Sequence, residues 1–142
     1  MKEPIAVSIA VLKRNGKFLL QLRDNIPNII YPGYWAFFGG HIEENETPLI
    51  AMRRELQEEI GYVPPVLSEL GCFESVGVLR HTFYGELTVD IEELVLGEGW
   101  DMGLWTVEDI KRGDRYSEKA GQVRPIGPPH QKILLDLISQ GF

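Results

Sequence analysis

The chain has 142 residues, of which 44% are hydrophobic and 25% charged, enough for one good core and ordinary for a globular protein. Its net charge of −7 lacks the basic footprint of a nucleic-acid-polymer binder, and its single cysteine, Cys72, excludes an internal disulfide. That cysteine reads as a small buried hydrophobe, and its isolation agrees with a reducing cytoplasm. In chain order, strands are expected at residues 5–13 and 17–23, joined by an Asn15-Gly16 hairpin turn. The first apolar run, IAVSIAVL, is a strand and is too short to be a membrane span or signal. A short strand at 35–38 leads into Gly39-Gly40, and a helix follows from the Thr47 cap and Pro48 to Gly61. Beyond it, 66–78 and 80–95 read as strands with Gly85 a candidate bulge. Residues 104–106 read as a short strand, 107–111 as a helical turn and 129–140 as an amphipathic helix. The stretch 111–129 reads as a solvated loop with a local basic excess. No repeat or linker divides the chain, so one domain over 1–142 is expected, of mixed α and β composition.

The helix carries the chemistry. Leu49, Met52, Leu56 and Ile60 recur on a core face. Glu55, Glu58 and Glu59 fan over roughly a quarter of the circumference at about 100° per residue, with Ala51 among them adding no bulk. Two carboxylates about 4 Å apart repel by roughly 4 kcal/mol at an effective dielectric near 20. A hard cation with oxygen ligands relieves that repulsion most directly. Arg54, four residues before Glu58, is placed to hold a carboxylate in a fixed rotamer. An ordinary solvated face would pair its charges at i,i+4, whereas Glu55 and Glu59 are alike at that spacing.

Residues 40–62 resemble the Nudix box, G-x5-E-x7-R-E-U-x-E-E-x-G-U with U aliphatic. The match comprises Gly40, Glu46, Arg54, Glu55, Leu56, Glu58, Glu59 and Gly61, and only Tyr62 departs from the pattern. The resemblance implies an α/β fold, the Nudix-type α/β/α sandwich with a central mixed sheet. It also implies hydrolysis of a nucleoside diphosphate linked to another moiety. Glu55, Glu58 and Glu59 become ligands of a divalent metal, usually Mg²⁺ with Mn²⁺ able to substitute, and one of them is a candidate proton acceptor. Glu46 and Arg54 become the supports that orient them. Gly39 and Gly40 let the backbone approach the metal, with the Gly39 carbonyl a candidate ligand. The cation would neutralise the pyrophosphate and activate water.

Outside the box, Glu98 in the GEGWD stretch resembles a loop glutamate of triphosphate-hydrolysing relatives and is a second candidate base. Arg23 resembles an arginine that contacts substrate phosphate in some relatives. Tyr34 and Trp100 are candidates to stack on a base, Trp35 reads as core, and His41 lies in the box loop within reach of a contact to substrate. The loop 24–34 and the stretch 111–129 are the expected pocket walls. Substrate identity is not legible. No Asn follows Asn45 to read an oxidised guanine, and no proline lies between Pro65 and Pro125 as in many ADP-ribose hydrolases. The intact box favours cleavage at phosphorus. The expected partner is a small nucleotide, with no membrane and no polymer, and a homodimer is left open. The alternative is a non-catalytic nucleotide-binding sensor module on the same scaffold.

Overall fold

β-Branched and large apolar side chains make Ile5–Arg14 a strand, and its centre, Ser8 to Leu12, is buried without alternation. A run of that kind is the mark of a strand covered on both faces. The computed structural model describes residues 3–29 and 31–142. Its elements are β1 Ile5–Arg14, β2 Lys17–Leu22, β3 Trp35–Ala36, β4 Phe38–His41, α1 Pro48–Ile60, β5 Ser68–Ser75, β6 Val78–Glu86, β7 Asp101–Trp105, α2 Val107–Arg112, β8 Asp114–Ser117, β9 Gln122–Pro125 and α3 Pro128–Ser139. They fall into two units, one ending at Lys13 and resuming at Phe38–Gly97, the other comprising Arg14–Phe37 and Glu98–Phe142.

In the first unit β1 pairs in parallel with β6, Ile5 opposite Val78 through Lys13 opposite Glu86, and antiparallel with β4. β5 closes on β6 as an antiparallel hairpin, so the sheet is mixed. The hairpin turns at Val76-Gly77, with φ of 53° and 75°, earlier than the sequence suggests. β6 also stops at Glu86 and does not run on to residue 95, because Asp90 and Glu93 close a short 3-10 turn at Ile91–Glu93, where the Asp90 amide donates to Glu93 Oε2 at 2.9 Å. The bulge lies between Glu69 and Gly71 in β5, not at Gly85. Gly85 is small for another reason: an added Cβ would sit 3.0 Å from the Pro64 ring. Cys72 is exposed on β5, against the expectation of a buried thiol, because Phe73 rather than Cys72 lies on the more protected side of that strand.

In the second unit β2 pairs antiparallel with β7, Phe18 opposite Trp105 through Leu22 opposite Asp101, and with β3. β7 therefore begins three residues before the expected Leu104. Trp35 and Trp105 are fully buried and meet edge to face, 5.6 Å between ring centroids. α2 is closed by a reciprocal capping pair, Asp109 amide to Thr106 Oγ1 at 3.1 Å and Thr106 amide to Asp109 Oδ2 at 3.0 Å. The stretch expected as loop after residue 111 holds the β8–β9 ribbon. The buried Ser117 hydroxyl anchors that ribbon, donating to Asp101 Oδ2 at 2.7 Å.

Candidate functional site

Local chemistry sets both ends of α1. Thr47 Oγ1 accepts the Ile50 amide at 3.2 Å, Pro48 occupies the first turn, and Gly61 takes the left-handed conformation with φ 65°. The buried Ser8 hydroxyl of β1 donates to the Pro48 carbonyl at 2.7 Å and ties the helix start to the sheet. The packed face consists of Ala51, Met52, Leu56 and Ile60. Leu49, expected in the core, is 36% exposed, and completely buried Ala51 takes its place, since the helix turns its smallest side chain toward its neighbours.

Arg54 organises the other face. Its Nε donates to Glu46 Oε2 at 2.7 Å and its Nη2 to Glu46 Oε1 at 2.9 Å, a bidentate fork. The same guanidinium reaches Glu55 Oε1 at 2.9 Å, Glu58 Oε2 at 3.4 Å and the His41 carbonyl at 3.1 Å. Glu46 Oε1 also accepts the Glu43 amide at 2.9 Å. The Arg54 hydrogen bonds, followed by that amide, hold the Glu46 carboxyl down at about 2, and Glu46 in turn raises the Arg54 pKa. The side chains of Glu46 and Glu55 are only 13% and 15% exposed, against 61% for Glu58, so the arginine fixes the two sheltered carboxylates most firmly.

Glu59 is held differently, with its Oε2 accepting the Gly39 amide at 3.0 Å. Gly39 has φ 150°, and an added Cβ would stand 2.0 Å from the Ser8 carbonyl oxygen of β1. At Gly40 an added Cβ would fall 2.5 Å from Glu55 Oε1, so this glycine forms a cradle on which the Glu55 carboxylate rests. Sequence reasoning missed Gly97. Its amide donates to the Glu59 carbonyl at 2.7 Å, and the Val95 amide donates to the Ile60 carbonyl at 3.2 Å, together closing the end of α1. The glycine pair in GEGWD was the available signal.

The donor set of this face fits a hard divalent cation, with oxygen atoms only and a backbone cradle free of side chains. Among the described residues no three acidic, His or Cys side chains yet converge on one point, since Arg54 draws Glu55 and Glu58 and the Gly39 amide draws Glu59.

The structure thus brings Gly39, Gly40, Glu46, Arg54, Glu55, Glu58 and Glu59 together in the first unit, with His41 joined through its carbonyl while the residue itself is exposed. The remaining candidates belong to the second unit. The Arg23 amide donates to the Tyr34 carbonyl at 3.0 Å, and the Trp100 amide donates to the Leu22 carbonyl at 2.8 Å, so Arg23, Tyr34 and Trp100 share one end of β2. Glu98 is exposed.

The NUDIX domain family matches residues 2–120, and the chain belongs to that family. Among curated relatives, it is 44% identical over 59 residues to an 8-oxo-dGTP diphosphatase of Proteus vulgaris, covering 40% of this chain and 48% of that one. It is 36% identical over 72 residues to an ADP-ribose pyrophosphatase of Methanocaldococcus jannaschii, covering 51% and 41%. The match thus spans less than half the length of either relative. The fold is that of the MutT NUDIX hydrolase of Burkholderia pseudomallei, with TM-score 0.73 and 19% identity over 95% of this chain and 98% of the other. It is α/β, a mixed sheet with helices, and the family generally uses a divalent metal. Among the described residues no helix is long and apolar enough to cross a membrane.

Proposed function

We propose that this chain is a divalent-metal-dependent pyrophosphohydrolase that cleaves a phosphoanhydride bond in a small nucleotide, either a nucleoside triphosphate or a nucleotide sugar. The observation that carries this reading is the Arg54 hub, which grips Glu46 through two hydrogen bonds and sets Glu55 against the bare backbone of Gly40. Glu55, Glu58 and Glu59, with the Gly39 carbonyl, would hold Mg²⁺ or Mn²⁺. The cation supplies neutralisation of the pyrophosphate oxygens and a lowered pKa for water. Arg54 and Glu46 keep the carboxylates in register, and Glu55 or Glu98 accepts the proton of the attacking water. Arg23, Tyr34, His41 and Trp100 are the proposed contacts to nucleotide. The chain acts as one domain in a cytoplasmic setting, a reading supported by the family match over residues 2–120 and by an exposed, unbridged Cys72.

The test is a screen of purified protein with Mg²⁺ or Mn²⁺ against nucleoside triphosphates, nucleotide sugars, dinucleoside polyphosphates and ADP-ribose, reading released phosphate and nucleotide. Metal-dependent turnover of one class is expected. Saturable nucleotide binding without turnover would instead make the protein a sensor module.

A further inference from the structure

In the second unit one ribbon sets two arginines side by side. In the β8–β9 ribbon Arg115 stands directly opposite Arg124, so both side chains leave the same face of the ribbon. The next pair, Tyr116 and Val123, leaves the other face and is exposed, while both arginines are half-buried. Like charges directly across a two-stranded ribbon oppose its pairing. Arg112 nearby shows the usual remedy, ion pairs to Asp109 at 2.7 Å and Asp114 at 2.5 Å. Among the described residues Arg115 and Arg124 have no such carboxylate. Arg124 Nε donates to the Gly33 carbonyl at 2.8 Å and its Nη1 to Gln122 Oε1 at 3.3 Å. The Arg115 guanidinium lies 5.4 Å from the centroid of the Trp35 ring, and its Nη1 donates to the Tyr116 carbonyl at 3.0 Å.

These contacts aim the guanidinium groups and cancel none of their charge. Between Gly33 and Trp35 lies Tyr34, whose carbonyl accepts the Arg23 amide, and the Arg23 Nε is buried with no hydrogen-bond partner. Gly33 and Trp35 thus each meet the guanidinium of one ribbon arginine, whereas Tyr34 meets Arg23 through the backbone alone. None of the three arginines forms an ion pair among the described residues, in a chain of net charge −7. Two guanidinium forks of like charge, fixed across one ribbon face without a carboxylate, are what an anion with several oxygens satisfies.

We propose that Arg115 and Arg124 form an anion subsite that takes the phosphate or pyrophosphate group of a nucleotide. Only the identity of the ligand rests on the hydrolase reading. In protein stripped of metal on a chelating resin the carboxylates of the box repel anions, so binding of inorganic pyrophosphate reports the arginines alone. Calorimetric titration is expected to show saturable binding of pyrophosphate and of AMP but not of adenosine. It should weaken at least tenfold in Arg115→Gln and Arg124→Gln and stay within threefold of wild type in Arg112→Gln. Because Arg124 Nε also supports the Gly33 carbonyl, Arg115→Gln, which leaves that bond in place, must show the loss by itself while its thermal unfolding midpoint stays that of wild type. The Nε–H resonances of Arg115 and Arg124 should shift on titration. Tighter binding of AMP than of phosphate supports a nucleotide source, and the reverse supports an inorganic one. The proposal is overturned by an absence of saturable binding, by equal binding of adenosine, or by glutamine variants that match wild type. No turnover enters these readouts, so the subsite and the hydrolase activity stand or fall separately.

Discussion

Arg54 and Glu46, eight residues apart in sequence, meet as a fork on two oxygens at 2.7 and 2.9 Å, and the arginine has nitrogen left over for Glu55. A lysine ammonium offers three donors from a single point and cannot reproduce the planar fork that spans Glu46 and Glu55 together. Arg54→Lys should therefore lower kcat by roughly 10- to 100-fold, close to the loss in Arg54→Ala, as is usual when support for a metal ligand is removed. Steady-state kinetics decide it, and an Arg54→Lys enzyme within threefold of wild type would show that charge alone suffices.

Glu58→Gln and Glu59→Gln should each raise the Mg²⁺ concentration for half-maximal activity by about tenfold or more. Thermal stability should hold, because the packed face of α1 lies on Ala51, Met52, Leu56 and Ile60. Wild-type turnover at limiting Mg²⁺ in either variant refutes the ligand assignment.

The two glycines separate folding from function. Gly39→Ala places a Cβ 2.0 Å from a backbone oxygen of β1, which has no rotamer to move to, and should cost about 2 kcal/mol or more. Gly40→Ala meets the far end of the Glu55 side chain, which can swing away. It should leave the urea midpoint nearly unchanged while activity falls. Equal stability losses in the two variants would contradict this division.

Glu46 makes stability depend on pH. Its folded pKa, about 2, lies below the ordinary value of 4.5, so its contribution is fully present above 4.5 and is lost as pH falls toward 2. The difference in urea midpoint between wild type and Glu46→Gln should be constant at neutral pH and shrink between about pH 4.5 and 2. A difference that persists at pH 2 would mean that the glutamine acts by packing and not by charge.

Glu98→Gln tests the proton acceptor. If Glu98 fills that role, kcat falls by roughly 10² or more with KM changed much less. A kcat within about threefold of wild type gives the proton to a box glutamate, Glu55 first, and leaves Glu98 as a surface residue.

Where chemistry is local, sequence and structure agree closely. Thr47, Pro48 and Gly61 bound α1 as read, because caps act within a turn of the residue that makes them. The swap of Leu49 for Ala51 in the core was not legible because Ala51 falls among the glutamates by helical spacing, and only tertiary packing covers that side of the helix. The β8–β9 ribbon escaped for a different reason. Its strands, DRYS and QVRP, show no clean alternation, and the bond that anchors it joins Ser117 to Asp101, 16 residues away.

By itself, the sequence determined which residues share one helical face and which turns start and stop that helix, since spacing within a few residues sets both. It also determined the family, through eight positions at fixed spacing. Tertiary structure alone decided that Arg54 takes Glu46, Glu55 and Glu58 while the Gly39 amide takes Glu59. It likewise decided that Gly40 lies bare beneath a carboxylate and that Arg115 faces Arg124. Each of these depends on strand register or on the approach of distant segments, and the energies that choose among such contacts belong to pairs of residues that no local pattern joins.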